Sequence, residues 1–181
     1  MSTLQLGVEA LLKRNLEFAK KHEAIPTFAE LAEMGVDFPH IIVLTCADPR
    51  CQPEKFLNIQ SGEGVIIMRN VGGHVSPALT DILALDSFVR IDEIMIVHHT
   101  DCGTTHFKDN KIRDVLKACV AEDHYQALDK MTFGAIDDLK GSVVDDINIL
   151  RGSPFIRPEL AEKTYGFVYD LKSGKLEAVK V

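Results

Sequence analysis

The chain has 181 residues, a length that favours one domain with a core of its own. Hydrophobic residues make up 46% of it and charged residues 26%, which excludes disorder, collagen-like repeats and a coiled coil as its main class. Acidic residues outnumber basic ones by 27 to 20, and the net charge of -7 argues against nucleic acid or an anionic membrane as a partner.

The first half of the chain alternates predicted helices with short apolar strands. Residues 1–22 predict an amphipathic helix, because apolar side chains recur at helical spacing between basic ones, and residues 28–34 predict a second, short helix. A further helix is expected after residue 75, with Ser76 as its N-cap and Pro77 as its first residue. Short apolar β-branched runs predict three strands buried on both faces, at residues 41–44, 65–68 and 94–97.

The second half predicts two more helices, at residues 109–122 and 135–150, and then a β-hairpin. The hairpin strands are expected at 165–169 and 176–179, on either side of a turn that contains glycine. Buried strands that alternate with helices indicate an α/β fold. We therefore expect a single domain over residues 1–181, with a mostly parallel central β-sheet flanked by helices and an antiparallel edge strand from the hairpin.

The four cysteines of the chain give information about the cellular compartment and its redox state. Two disulfides would require an oxidising setting, but the N-terminus lacks the basic region and apolar core of a secretory signal. No apolar run approaches the ~20 residues of a membrane span. We expect a cytoplasmic protein with reduced thiols, in which cysteines near His and Asp indicate metal binding or catalysis. The cysteines are Cys46, Cys51, Cys102 and Cys119.

Chemically active side chains follow two of the predicted strands. Cys46, Asp48 and Arg50 come after the first strand, and His99 and Cys102 after the third. Ligands of open α/β sheets bind beyond the carboxyl ends of the strands, so neighbouring strands would bring these residues together. Two thiolates and one imidazole suit Zn²⁺, and three protein ligands leave a fourth position free, as in catalytic sites.

The same residues allow other interpretations. The two cysteines could be ordinary buried thiols, and the Asp48–Arg50 pair could be a structural ion pair. His99 is favoured over His98 as the ligand because it stands three positions before Cys102. A thiol phosphatase needs a Cys-x₅-Arg loop, and the residue at that distance from Cys46 is Gln52.

The combined motifs resemble the signature of β-class carbonic anhydrases. Residues 69–73, Arg-Asn-Val-Gly-Gly, are similar to that family's Arg-Asn-x-Gly stretch, and the resemblance extends from about Leu12 to Leu176. The short chain resembles the compact branch of the family, which also includes carbonyl sulfide hydrolases. The spacing that carries the resemblance is Cys46-x-Asp48-x-Arg50 followed by His99-x-x-Cys102-Gly103.

The resemblance implies a zinc lyase that converts CO₂ reversibly to bicarbonate and a proton. It implies one Zn²⁺ per subunit on Cys46, His99 and Cys102, with Asp48 and Arg50 as catalytic residues. Asp48 would become a fourth zinc ligand in a closed state, when its bond to Arg50 breaks. The family also implies a homodimer or homotetramer with a pocket at the subunit interface and the helix of residues 1–22 packed on a partner. The substrate-binding residues expected for a small apolar substrate are Gly103, Val71, Phe56 and Leu79.

Three positions depart from the family pattern. Asp37 stands where many members have Gln, Pro49 where many have Ser, and Thr104 where many have a second Gly. None of them removes a metal ligand, but the first bears on how the substrate is held. The substrate preference therefore stays open. The alternatives are hydrolysis of carbonyl sulfide to H₂S and CO₂ on the same zinc site and, more remotely, a non-catalytic zinc scaffold.

Overall fold

The computed structural model of the chain describes residues 7–35 and 40–181, which form two compact units. The first unit holds helices Val8–Ala19 (α1) and Phe28–Met34 (α2), both of which were predicted. Residues 1–6 of the predicted first helix lie outside the described residues, as does Asp37. α2 begins in a capping box between Thr27 and Glu30, and ends at Gly35 with a left-handed φ of 62°.

The second unit contains a five-stranded sheet in the order β2-β1-β3-β4-β5. Neighbouring strands run parallel except for β5, which pairs antiparallel with β4. The predicted fold class is therefore confirmed. The strands are Ile41–Cys46 (β1), Val65–Asn70 (β2), Glu93–His99 (β3), Thr164–Tyr169 (β4) and Leu176–Val179 (β5). The helices of this unit are Pro53–Phe56 (α3), Val75–Val89 (α4), Asp109–Lys117 (α5), Tyr125–Asp129 (α6), Leu139–Gly152 (α7) and Pro158–Glu162 (α8).

The hydrophobic core lies between the central strands and helices α4 and α7. The apolar residues of β1 and β3 are mostly buried, as expected for strands flanked on both sides. β2 is an edge strand and its apolar side chains are only half-buried, contrary to the prediction. Gly166 in β4 lets α7 approach closely, because a Cβ there would overlap Val143 and lie 2.7 Å from Ile147.

Several helix boundaries differ from the predictions. α4 begins at Val75 rather than at Pro77, because the carboxylate of Asp146 in α7 accepts a hydrogen bond from the Val75 N–H at 2.8 Å. The helix predicted to reach residue 122 ends at Lys117, whose carbonyl accepts a hydrogen bond from Tyr125 Oη. α7 begins after Asp138, whose side chain caps it. The short helices α3, α6 and α8 were not predicted. No helix in the part of the chain that the structure describes is long and apolar enough to cross a bilayer.

A partly buried ion pair fixes the end of α4, and we expect it to set part of the acid sensitivity of folding. Arg157 donates from Nε and Nη2 to the two Asp86 oxygens at 2.9 and 2.7 Å, and this guanidinium holds the pKa of Asp86 below its usual value. Asp86→Asn should lower the free energy of unfolding at neutral pH by about 1–3 kcal/mol. A depressed folded pKa contributes stability above the unfolded pKa of about 4 and loses it as pH falls, so the difference should shrink in acid.

Urea unfolding at pH 7 and at pH 3 measures this difference. Asp81→Asn, at an exposed position of the same helix, is the matched control and should change stability by less than about 0.5 kcal/mol. An Asp86→Asn deficit that is equally large at both pH values would contradict the prediction.

Candidate metal centre

The predicted metal ligands meet at the carboxyl ends of β1 and β3. These strands are parallel neighbours, so the end of β1 at Cys46 lies beside the end of β3 at His99. Cys102 follows in the turn after β3, with its Sγ 3.6 Å from Cys46 Sγ. The two sulfurs and one imidazole nitrogen all lie within 4.8 Å of one another, and all three residues are buried.

This donor set fits zinc. His99 Nδ1 lies 3.0 Å from the Thr100 carbonyl, which can only accept, so the N–H is on Nδ1 and the lone pair on Nε2. That Nε2 is buried and has no hydrogen-bond partner. Both cysteines are free thiols, and two sulfurs bound to zinc at ~2.3 Å in a tetrahedral site would lie ~3.8 Å apart, close to the spacing observed.

The surroundings favour a thiolate at Cys102. The pKa of Cys102 is lowered, first by the hydrogen bond from Cys46 and then by contacts with His99 and Thr104. Thr104 Oγ1 donates to the Cys102 sulfur at 3.0 Å. The same sulfur–sulfur contact, together with burial, raises the pKa of Cys46. A metal binds the thiolate form, so the chain already favours a metal-binding state at one of its sulfurs.

Asp48 presents an ionised carboxylate to the three donors. Its Oδ2 lies 3.8 Å from His99 Nε2. Arg50 holds the carboxylate through Nη2–Oδ2 and Nε–Oδ1 contacts of 2.7 and 3.0 Å, and its own N–H donates to Oδ1 at 2.8 Å. These bonds lower the pKa of Asp48 to about 2. Arg50 Nη1 also donates to Asp101 Oδ2 at 2.8 Å, which links the loop after β1 to the turn after β3.

Arg69 supports the loop after β1, a role that the sequence interpretation missed. It donates from Nε to the Cys46 carbonyl at 3.2 Å and from Nη2 to the Asp48 carbonyl at 2.8 Å. Nη2 also donates to the carbonyl of Cys51. The sequence signal that could have revealed this role is a charged residue near the end of an otherwise apolar strand. Gly73 packs against the end of β1, since a Cβ there would lie 2.8 Å from the Thr45 carbonyl carbon.

The expected substrate-binding residues lie in different surroundings. Val71 is 58% exposed and borders a cleft of about 820 Å³. Gly103 begins the 3₁₀ turn directly after Cys102 and has open space over its Cα. Phe56 stacks on Tyr169 with ring centroids 4.2 Å apart, and Leu79 packs against the hydrophobic core. Neither Phe56 nor Leu79 is among the residues that line the cleft, and the substrate role of all four stays a prediction.

Comparison with known proteins identifies a matching family and several relatives. A family model described as carbonic anhydrase matches residues 41–176. "Beta-carbonic anhydrase 1" of Mycobacterium tuberculosis H37Rv is 28% identical over 141 residues, which cover 77% of this chain and 82% of the relative. The "Carbon disulfide hydrolase" of Saccharolobus solfataricus is 29% identical over 154 residues, covering 74% of each chain.

Solved structures share the fold. The carbonic anhydrase of Streptococcus mutans superposes with a TM-score of 0.78 at 24% identity, over 98% of this chain and 100% of that one. At this identity the likeness shows the fold alone. The family model, however, spans most of the chain and includes all three sulfur and nitrogen donors as well as Asp48. The chain therefore belongs to the β-carbonic anhydrase family.

Proposed function

We propose that the chain catalyses the reversible hydration of CO₂ to bicarbonate and a proton, with zinc held by Cys46, His99 and Cys102. The observation that carries the proposal is a buried set of two sulfurs and one bare imidazole nitrogen, faced by an ionised carboxylate 3.8 Å from that nitrogen. Zinc in this position would supply the Lewis acidity that makes a water molecule nucleophilic.

Asp48 and Arg50 are proposed to orient the attacking water. A carboxylate with a pKa of about 2 stays ionised across the physiological range, so Asp48 always accepts a hydrogen bond and never donates one. Arg50 fixes the plane of that carboxylate through its two-pronged contact. The backbone N–H of Gly103, next to Cys102, is proposed to hold an oxygen of bicarbonate. In this arrangement Asp48 directs a water lone pair toward the carbon of the substrate.

A second candidate is the hydrolysis of carbonyl sulfide or carbon disulfide at the same site. The specific observation in its favour is the match to proteins named carbon disulfide hydrolase, one of them 29% identical. Like CO₂, these substrates are linear triatomic molecules attacked at carbon. Water would add to the carbon and the sulfur would leave as H₂S.

The experiment that decides between them compares substrates on one preparation with a measured zinc content. We expect stopped-flow hydration of CO₂ to exceed H₂S release from carbonyl sulfide and from carbon disulfide. Cys102→Ser protein serves as the blank. Faster turnover of a sulfur substrate would reverse the assignment, and no turnover of any of the three would favour a zinc scaffold.

We also propose a homodimer or larger assembly in the cytoplasm. α1 carries an exposed apolar stripe at helical spacing, which supports packing of this helix on a second copy. Two unbridged sulfurs 3.6 Å apart must stay reduced to bind metal, which favours a reducing compartment. Light scattering should give at least twice the monomer mass if the protein is a dimer or larger. The exposed apolar stripe of α1 consists of Val8, Leu11, Leu12 and Leu16.

A further inference from the structure

A second cluster of metal-binding side chains lies outside the site described above. His74 precedes α4, His98 lies in β3 and Asp146 in α7. His74 Nδ1 and His98 Nε2 each lie 3.1 Å from the same oxygen, Asp146 Oδ2. The three donor atoms lie within 4.8 Å of one another and share no ligand with the first site.

The outer atoms of this cluster are already committed to other partners. His74 Nε2 lies 3.1 Å from the Gly134 carbonyl, which can only accept, so Nε2 carries a hydrogen. Ser142 Oγ lies 2.8 Å from His98 Nδ1 and can accept from it while donating to the Leu139 carbonyl at 2.9 Å. Asp146 Oδ1 accepts from the Val75 N–H at 2.8 Å. Metal-binding histidines characteristically have their second ring nitrogen fixed in this way.

The outer atoms of the three side chains have partners, and the inner atoms, His74 Nδ1, His98 Nε2 and Asp146 Oδ2, face one another. The two inner nitrogens and Asp146 Oδ2 thus converge on one point, as three ligands around a single cation would. His98 Nε2 is fully buried and forms no aligned hydrogen bond, although Asp146 Oδ2 is 3.1 Å away.

We propose that His74 Nδ1, His98 Nε2 and Asp146 Oδ2 bind a second divalent cation of the zinc and cobalt class. Ligand distances of ~2.0–2.2 Å in a tetrahedral site place neighbouring donors ~3.3–3.6 Å apart, close to both nitrogen–oxygen distances of 3.1 Å. Two imidazoles with one carboxylate suit zinc, cobalt or iron rather than magnesium, which prefers oxygen ligands alone.

The cation can reach this site from the surface. His74 and Asp146 both line the cleft of about 820 Å³, whose walls are otherwise largely apolar. Three protein ligands would leave a coordination position open toward that cleft. Because the ligands come from β3, α7 and the residue before α4, the bound cation would also tie these elements together and raise the thermal midpoint of unfolding.

Metal counting on purified protein tests the proposal. Wild type and Asp146→Asn are equilibrated with excess Zn²⁺, desalted, and measured for bound metal per chain. Asp146→Asn retains an oxygen for the Val75 N–H, so α4 keeps its cap. Asp145→Asn, the same change at the exposed neighbouring residue, is the matched control. We expect wild type and Asp145→Asn to bind one equivalent more than Asp146→Asn.

Substitution with Co²⁺ separates this site from the first one. The sulfur-to-cobalt absorption reports the Cys46–Cys102 site and should be the same in wild type and Asp146→Asn. Because it is read separately, loss of metal at the first site cannot be mistaken for loss of metal at the second. Equal metal content in wild type and Asp146→Asn would overturn the proposal. If Asp146→Asn does not fold, His74→Leu is measured in the same way, and the same one-equivalent loss is required.

Discussion

Replacing Cys102 by serine is expected to abolish both tight metal binding at the first site and CO₂ hydration. The Cys102 sulfur is buried 3.6 Å from Cys46 Sγ, and a hydroxyl there would not supply a thiolate. Loss of an outer-shell partner of a metal ligand costs ~10–100-fold in metal affinity, so loss of the ligand itself should cost more than ~100-fold. Metal content after dialysis, and the sulfur-to-cobalt absorption in Co²⁺-treated protein, measure the loss.

Cys119→Ser is the matched control for this experiment. It is the same chemical change at an exposed thiol away from the cluster. Cys119→Ser protein should retain its full metal content, its cobalt spectrum and its activity. Cys102→Ser protein that keeps the spectrum and hydrates CO₂ at the rate of wild type would show that the buried sulfurs do not form the metal centre.

Asp48→Asn is expected to lower the rate of CO₂ hydration by at least ~100-fold while leaving the metal in place. The change preserves the shape of the side chain but replaces a permanent acceptor with an amide whose NH₂ group can only donate. Removal of one positioned hydrogen-bonding group at a reacting oxygen typically costs ~10²–10³ in rate. Stopped-flow rates on protein of measured metal content separate this effect from loss of metal.

Asp101→Asn tests whether the effect is specific to Asp48. Asp101 is the other carboxylate bound to Arg50, but this contact is exposed. An exposed ion pair is worth ~0–1 kcal/mol, so the rate should fall by no more than about fivefold. If both carboxylate variants lose activity equally, Asp48 has no special position toward the substrate, and general stabilisation of Arg50 explains the effect instead.

Much of the first site could be predicted because its information is local. Each strand that carries the site leaves a short apolar run in the sequence, and the ligands follow directly at the strand ends. Parallel strands place their carboxyl ends at one edge of the sheet, so Cys46, His99 and Cys102 were expected to meet on the condition that β1 and β3 are neighbours, which the structure shows them to be. The hairpin was predictable for the same reason, since its turn and strands are contiguous.

Predictions failed where a distant residue decides the outcome. α4 starts at Val75 because a carboxylate from α7 caps it, and no residue near position 75 carries that information. The half-buried state of β2 depends on its place at the edge of the sheet. The role of Arg69 depends on where the loop after β1 comes to lie. Helices α3, α6 and α8 are four or five residues long, too short to show a helical period.

The amino-acid sequence by itself determined the order of the strands and longer helices along the chain, the family and the three candidate donors of the first site, because periodicity and motif spacing are properties of neighbouring positions. Only the tertiary structure decided which loops Arg50 and Arg69 connect, and which side chains share the second cluster. His74, His98 and Asp146 stand far apart in the chain and meet only because α7 packs on β3 and against α4. Such packing follows from the burial of whole apolar faces, and no local pattern records which polar atoms it brings into contact.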